Sequence, residues 1–236
     1  MNLPNSNDGP SRTKFSAVTK GSTVFHAVRR LILLGEIQSD QPLVEQHLGR
    51  EFNCSQGTVR EALMRLQEEG LVERRGYRGT IIAQTGIAEA IQMARIRLDL
   101  EVEGIRHAAL SFDDTELDEI RGMLNNMEKV MVLGDQYAVS EIDRLIHLTI
   151  FRSSGLMALE PILKRCTLHM HRFTFGSEET RDRRISPIES HQPILDALAS
   201  HDPERAAEAM RTHIAEVIEL WAPPLKSALG QSATNH

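Results

Sequence analysis

Four side chains in the second half of the chain have the residue types and spacings of a metal centre: Asp143, His147, His191 and His213. Asp143 and His147 are four residues apart in a helical pattern, so both project from the same face of one helix. His191 and His213 each share a predicted helix face with apolar residues, which directs their imidazoles inward. One carboxylate and three imidazoles suit zinc, nickel or another first-row divalent ion and leave positions open for a ligand. A histidine on an apolar face is by itself more often a core residue, so the spacing alone leaves both interpretations open.

A predicted helix that begins after Ser55 carries a second set of functional side chains. Its apolar stripe must face a core, which leaves Gln56, Gly57 and Arg60 on or near the outer face. Gln56 and Arg60 are one turn apart near the helix N-terminus, where a recognition helix meets the bases; Gln can bond to adenine and Arg to guanine. Ser55 and Thr58 can hold a phosphate together with the backbone N–H groups of the helix start.

Three predicted helices and a β-hairpin over residues 21–84 describe a winged helix-turn-helix. Strand-like segments over 71–75 and 80–83 flank a glycine-containing turn over 76–79. Arg75 and Gly76 belong to this wing, where the small residue would let the backbone approach a minor groove or a phosphate. The alternative is an ordinary charged helix and hairpin that bind no DNA, because helix-turn-helix patterns also occur in interaction modules.

The composition fits two domains with different partners. The chain has 236 residues, of which 41% are hydrophobic, so it can form real cores. Residues 1–84 carry 11 Lys and Arg against 9 Asp and Glu, whereas residues 85–236 carry 16 against 24. We found no signal peptide or spanning segment in the sequence, and Cys54 and Cys166 form no disulfide framework. These features favour a soluble, cytoplasmic protein with no membrane partner.

The second part of the chain shows helical patterns and no strand signal. Six predicted helices over residues 85–225 have short connections, which indicates an antiparallel all-α bundle. Residues 1–20 and 226–236 are predicted to be flexible tails. The predicted fold is therefore mostly α, with a winged helix-turn-helix followed by a helical bundle.

The segment SQGTVREALMRL over residues 55–66, followed by Glu69-Gly70-Leu71-Val72 and the wing, resembles the DNA-binding domain of GntR-type transcription regulators. The resemblance implies that Arg60 and the first turn of its helix contact an operator and that the wing near Gly76 approaches the minor groove. The family usually has Arg where Gln46 and Gln56 stand, and often Pro where Thr58 stands. Because two cations are missing, we expect weaker DNA binding and a shallower salt dependence than in a relative that keeps both arginines.

The second part resembles the FCD ligand-binding domain of the FadR-type branch of that family. In many members the positions of the four candidate ligands bind a metal, and an organic-acid effector completes the coordination. Arg97 and Glu101 match the first-helix signature, in which the Arg faces the effector pocket; Arg184 is a weaker candidate for that pocket. An ion pair between Arg97 and Glu101 within the helix is the alternative. Ser190 stands where the family has Glu, which removes no ligand.

The two resemblances together predict a metal-containing, effector-responsive transcription regulator. It would bind a palindromic operator as a homodimer and, as a repressor, leave it when a small carboxylate binds. Two alternatives remain at this point: a metal-dependent hydrolytic enzyme, and a constitutive DNA-binding protein with a structural metal. His169 and His171 are two residues apart on one predicted helix, face different ways, and are not predicted to be a ligand pair.

Overall fold

A computed structural model describes residues 19–37, 42–174 and 186–221. The N-terminal domain consists of three helices and a two-stranded hairpin. These are α1 (Lys20–Leu33), α2 (Glu45–Glu51), α3 (Gln56–Glu68), β1 (Val72–Arg74) and β2 (Thr80–Ile82). The predicted winged helix-turn-helix is confirmed, and α1 begins at Lys20, where we predicted the end of a tail.

Helix α3 begins where the sequence places a cap. The hydroxyl of Ser55 accepts the backbone N–H of Thr58 at 3.1 Å, which satisfies one of the free donors of the first turn. Val59 and Leu66 of α3 are buried against Val28 of α1. The apolar stripe therefore fixes which side of α3 remains outside.

The wing is a short antiparallel hairpin in which Val72 lies opposite Ile82. Its strands are shorter than the predicted segments 71–75 and 80–83, because Gly76–Arg78 form a single turn of 3-10 helix. Gly76 and Gly79 have positive φ angles of 42° and 72°, which a side chain would disfavour. The two glycines thus allow the tight turn that presents the wing arginines.

The helical domain contains six α-helices in the part of the chain that the structure describes. They are α4 (Ile87–Ala108), α5 (Asp114–Val132), α6 (Gln136–Arg152), α7 (Glu160–Thr174), α8 (Pro187–Ala199) and α9 (Pro203–Trp221). The predicted all-α bundle is confirmed. Among the described helices, none is long and apolar enough to cross a membrane.

Each domain has an apolar core of its own. Ile105, Leu124, Leu198 and Ile214 lie in the core of the bundle. The core of the N-terminal domain also includes Leu168, which comes from α7. The helical domain therefore supplies part of the packing of the N-terminal domain.

Helices α4 and α6 pack closely at Gly104. This glycine is buried, and a Cβ atom there would lie 2.8 Å from Cε2 of the Phe151 ring in α6. Since Glu101 and His147 lie one turn before these two residues, the close packing also sets the distance between their side chains.

We expect Gly104→Ala to lower the free energy of unfolding by about 1–3 kcal/mol, because the added methyl group overpacks the contact with Phe151. Gly122, an exposed residue of α5 with open space around its Cα, is the control. We expect Gly122→Ala to raise stability by up to about 1 kcal/mol through helix propensity. Urea unfolding followed by circular dichroism measures both, and a Gly104→Ala protein as stable as the wild type would contradict the overpacking.

Candidate functional site

Three helices bring the four predicted metal ligands together. Asp143 and His147 lie on α6, His191 on α8 and His213 on α9. One ligand atom from each residue lies within 4.8 Å of the corresponding atoms of the other three. The imidazole centroids of His191 and His213 are 4.3 Å apart, and those of His147 and His213 are 5.2 Å apart. The arrangement could hold one metal ion.

Each imidazole of this cluster is oriented through its Nδ1 atom. Nδ1 of His147 contacts the carboxylate of Glu101. Nδ1 of His191 lies 2.8 Å from the Pro187 carbonyl oxygen, and Nδ1 of His213 lies 3.1 Å from that of Ser190. Because a carbonyl or carboxylate oxygen can only accept, the proton must be on Nδ1 and the lone pair on Nε2. This is the pattern by which proteins orient histidine ligands of metals.

The Nε2 atoms of the three histidines are buried and have no hydrogen-bond partner within the described part of the chain: His147, His191 and His213. Buried polar atoms are otherwise almost always satisfied, so three orphans facing one point need an explanation. A divalent cation accepts all three lone pairs at once. The donor set therefore fits a metal ion chemically as well as geometrically.

The charge states of the cluster also suit a cation. Burial alone would raise the pKa of Asp143, but its electrostatic interaction with His147 and a hydrogen bond from His171 hold the pKa well below its ordinary value of 3.8. Burial, followed by repulsion from His191 and His147, holds the pKa of His213 well below 6.5. At neutral pH the site thus offers an ionised carboxylate and a neutral imidazole, the forms that bind metals.

Arg97 and Glu101 form the ion pair that the sequence left as an alternative. Arg97 is 1% exposed, and its Nε donates to Oε1 of Glu101 at 2.5 Å. The other carboxylate oxygen contacts His147, so Glu101 joins the arginine to a metal-ligand candidate. Burial alone would raise the pKa of Glu101, but Arg97 and His147 lower it to about 2. Arg184 lies outside the described residues.

Nη2 of Arg97 remains buried without a hydrogen-bond partner among the described residues. Pairing with Glu101 therefore uses only part of this guanidinium. The remaining N–H group can donate to a carboxylate oxygen of a ligand, so the ion pair and the predicted effector contact are compatible.

His171 of α7 lies next to the cluster, which the sequence did not reveal. Its Nε2 is 3.5 Å from Oδ2 of Asp143. His169 points elsewhere, since its Nδ1 lies 2.7 Å from the hydroxyl of Thr85. The two histidines face different ways, as the helical period requires. No sequence signal identifies His171, because its contact depends on how α6 and α7 pack.

The predicted DNA-contacting residues lie on one exposed side of the N-terminal domain. Gln46, Gln56 and Gly57 are exposed. Ser55 and Thr58 lie at the start of α3 with their hydroxyl oxygens 2.9 Å apart. Gln46, Ser55 and Gln56 border an open cleft, which is also lined by two cations, Lys20 and Arg50, and by the polar Asn53.

Arg60 projects from α3 and is held by an acidic neighbour. Its Nε and Nη2 donate to the Glu45 carboxylate, at 3.0 and 2.7 Å. A bidentate pair of this kind orients the guanidinium. Glu45 of α2 therefore fixes where Arg60 points.

The wing presents its cations at the edge of the same domain. Arg75 is exposed and its Nη2 lies 2.8 Å from Oε1 of Glu73. Gly76 is exposed, and Tyr77 beside it is 96% exposed. A long aromatic side chain in water at the tip of a wing is available for contact with a partner.

Arg29 of α1 connects the two domains through buried charges. It is 2% exposed, and its Nε donates to Glu69 at 2.8 Å. Its Nη1 donates to Glu141 of α6 at 2.5 Å and to the hydroxyl of Tyr137 at 3.2 Å. Glu69 also pairs with Lys164 of α7 at 2.9 Å. Helices α6 and α7 therefore reach both the candidate metal centre and the N-terminal domain.

Two family profiles match the chain in the order of its two domains. The profile described as bacterial regulatory proteins, gntR family, matches residues 20–82. The profile of the FCD domain matches residues 92–216, which is more than half of the chain. The chain belongs to the GntR family. Its helical domain is an FCD domain, as the sequence resemblance implied.

Relatives of this GntR regulator are named as transcription regulators. It is 29% identical over 206 residues to a probable D-xylose utilization operon transcriptional repressor of Paenarthrobacter nicotinovorans, covering 85% of this chain and 90% of the relative. It is 26% identical over 216 residues to the repressor NanR of Cronobacter sakazakii, covering 82% of each. The solved structure of McbR/YncC from E. coli superposes with a TM-score of 0.71 at 20% identity, over 88% of this chain and 99% of that one.

These comparisons establish the general activity of the GntR regulator. It is a DNA-binding transcription regulator, and not an enzyme. The hydrolytic enzyme that the sequence left open is thereby excluded.

The interdomain charge cluster of the GntR regulator predicts a pH-dependent stability. Burial alone would raise the pKa of Glu141, but Arg144 and Arg29 lower it from 4.5 to about 2. A depressed pKa stabilises the fold above the unfolded value and loses this effect as the pH falls through the folded value. We expect Glu141→Gln to lower the free energy of unfolding at pH 7 by about 1–3 kcal/mol, a difference that shrinks from pH 4.5 towards pH 2.

Urea unfolding over a pH series measures this difference. Asp118→Asn is the control, because it removes an exposed ion pair with Arg121 that should contribute less than about 1 kcal/mol. A difference between wild type and Glu141→Gln that stays constant with pH would contradict the assigned cause.

Proposed function

We propose that this GntR regulator is a metal-containing repressor that leaves its operator when a small carboxylate binds. The metal is zinc, nickel or another first-row divalent ion held by Asp143, His147, His191 and His213. The observation that carries the proposal is the set of three buried, unsatisfied Nε2 atoms facing one ionised carboxylate. When bound, the ion supplies positive charge and open coordination positions for an anionic ligand.

Arg97 is the proposed second contact of the carboxylate effector. Its guanidinium is buried, fixed by Glu101 at one edge, and has an unsatisfied Nη2. Glu101 also orients His147, so the same carboxylate positions a metal ligand and the effector arginine. An effector that contacts both the ion and Arg97 would thus act on two ends of one hydrogen-bonded chain. Arg184 remains a candidate for the same pocket from the sequence alone.

Helix α6 is the proposed route from the effector to the DNA-binding domain. Asp143 and His147 face the metal centre, whereas Glu141 contacts Arg29 of α1. A shift of α6 that improves effector coordination would therefore change the position or freedom of α1 and, through Glu69, of α3. A coupling free energy of about 1–3 kcal/mol is sufficient for regulation.

The proposed DNA-bound form is a homodimer with two recognition helices on the half-sites of a palindromic operator. Ser55, Gln56, Gly57, Thr58 and Arg60 of α3, Gln46 of α2 and the wing residues Arg75 and Gly76 contact the DNA. Because the protein would act on chromosomal operators, the proposal places it in the cytoplasm.

Elemental analysis of the purified protein tests the metal centre. We expect about one divalent ion per chain in the wild type. We expect less than about one tenth of that in His147→Ala and His191→Ala, because each substitution removes one of the four proposed ligands. His107→Ala, which changes an exposed histidine of α4, is the control and should keep its metal. A wild-type protein that contains no metal and takes up none on titration would refute the proposal.

The role of the metal is tested by chelation. We expect the chelated protein to stay folded and to keep its affinity for DNA selected from a random pool, but to lose its response to carboxylates. If the chelated protein still responded, the metal would not belong to the effector site. If neither form responded to any carboxylate, the ion would be structural and DNA binding constitutive.

The role of Arg97 is tested by Arg97→Lys in the metal-loaded protein. Lys keeps the charge but loses the planar fork that binds a carboxylate in two parallel hydrogen bonds. We expect the carboxylate concentration that releases half of the DNA to rise at least about tenfold. Thermal shift identifies the carboxylate and fluorescence anisotropy of labelled DNA measures release. An unchanged concentration, in a variant with normal metal content, would remove Arg97 from the site.

A further inference from the structure

His171 contacts the side of Asp143 that faces away from the other candidate ligands. Oδ1 of Asp143 lies 3.8 Å from Nε2 of His147 and 3.6 Å from Nε2 of His191. Oδ2 lies 3.5 Å from Nε2 of His171. The two oxygens of one carboxylate therefore have separate neighbours, with the histidine cluster at one oxygen and His171 at the other.

The chemistry of this contact fixes which atom carries the proton. An ionised carboxylate has no donor, so His171 can satisfy Oδ2 only through an N–H group at Nε2. His171 is 6% exposed and Asp143 is 14% exposed, so bulk water does not readily replace this donor. With its proton directed at Oδ2, the Nε2 atom of His171 has no lone pair to offer a metal.

We propose that His171 is a positioning residue that holds Oδ2 of Asp143, so that Asp143 binds the metal through Oδ1 alone. The inference rests on the metal centre of the proposed function. A carboxylate that binds through one oxygen occupies one coordination position, whereas a carboxylate that binds through both occupies two. His171 thereby keeps a position open for the carboxylate effector.

Two substitutions separate positioning from general packing. The amide nitrogen of Gln can reach the place of Nε2 and donate to Oδ2, whereas the shorter amide of Asn cannot. We expect His171→Asn to keep one metal per chain but to bind Zn²⁺ about 10–100-fold more weakly, as for other residues that orient metal ligands. We expect His171→Gln to bind Zn²⁺ within about threefold of the wild type, since it restores the donor.

The control is His169→Asn, which changes a buried histidine two residues away on α7 that contacts Thr85 rather than Asp143. It should leave Zn²⁺ affinity unchanged. Affinity is measured by competition with a chromophoric chelator, and stoichiometry by elemental analysis. If His171→Asn does not fold, His171→Met offers a buried side chain of similar size without the donor.

Absorption of bound Co²⁺ gives an independent readout. In His171→Asn the freed Asp143 can bind through both oxygens, which raises the coordination number and weakens the visible absorption bands. His171→Gln should keep the wild-type spectrum. Unchanged Zn²⁺ affinity in His171→Asn would overturn the inference, and so would complete loss of metal, which would make His171 a ligand. In both cases the wild type still binds metal, so the proposed function survives; no metal in the wild type would overturn both.

Discussion

The fold of the helical domain depends on how the charges of two carboxylates in its interior are balanced: Glu101, which is buried, and Asp143, whose side chain is 14% exposed. An uncompensated charge in such a place costs several kcal/mol, so each must have partners. Glu101 obtains them from Arg97 and His147, and Asp143 is surrounded by imidazoles from α6, α7 and α8. The helices of the bundle are therefore held in register by charge as well as by apolar packing. A divalent cation would complete this compensation.

Helix α6 carries two carboxylates that need partners, and these partners lie on different sides of the helix. Glu141 and Asp143 are two residues apart, which on a helix directs them to different faces. One meets Arg29 of the DNA-binding domain and the other meets the histidine cluster. A rigid helix cannot move one carboxylate without moving the other. The candidate metal centre and the DNA-binding domain share no residue, and α6 is the element that connects them mechanically.

Much of this molecule follows from the sequence because helical period and capping are local. The stripe of α3, its cap at Ser55 and the shared face of Asp143 and His147 need only neighbouring residues, and the family pattern supplied the order of the remaining histidines. The contacts of His171 with Asp143 and of Arg29 with Glu141 join residues 28 and 112 positions apart. Periodicity tells which face a residue lies on, but not which helix covers that face. Arg60 illustrates the same limit, because nothing local predicts its pairing with Glu45.

The buried contacts of Arg29 also limit which DNA-binding domains can be exchanged between regulators of this kind. A chimera joined between the hairpin and α4 would separate Arg29 from Glu141 and Leu168 from the core that it completes. The bundle would then lose the interdomain partner of Glu141, which would keep only Arg144 of its own helix, and Leu168 would lose its apolar neighbours. The segment between the hairpin and α4 is thus a simple point at which to join two genes, but the domains on either side of it are not independent of each other. A compatible N-terminal domain must carry a cation on α1 that can pair with Glu141 and an apolar core that accepts Leu168 of α7. This requirement holds whatever operator the new domain recognises.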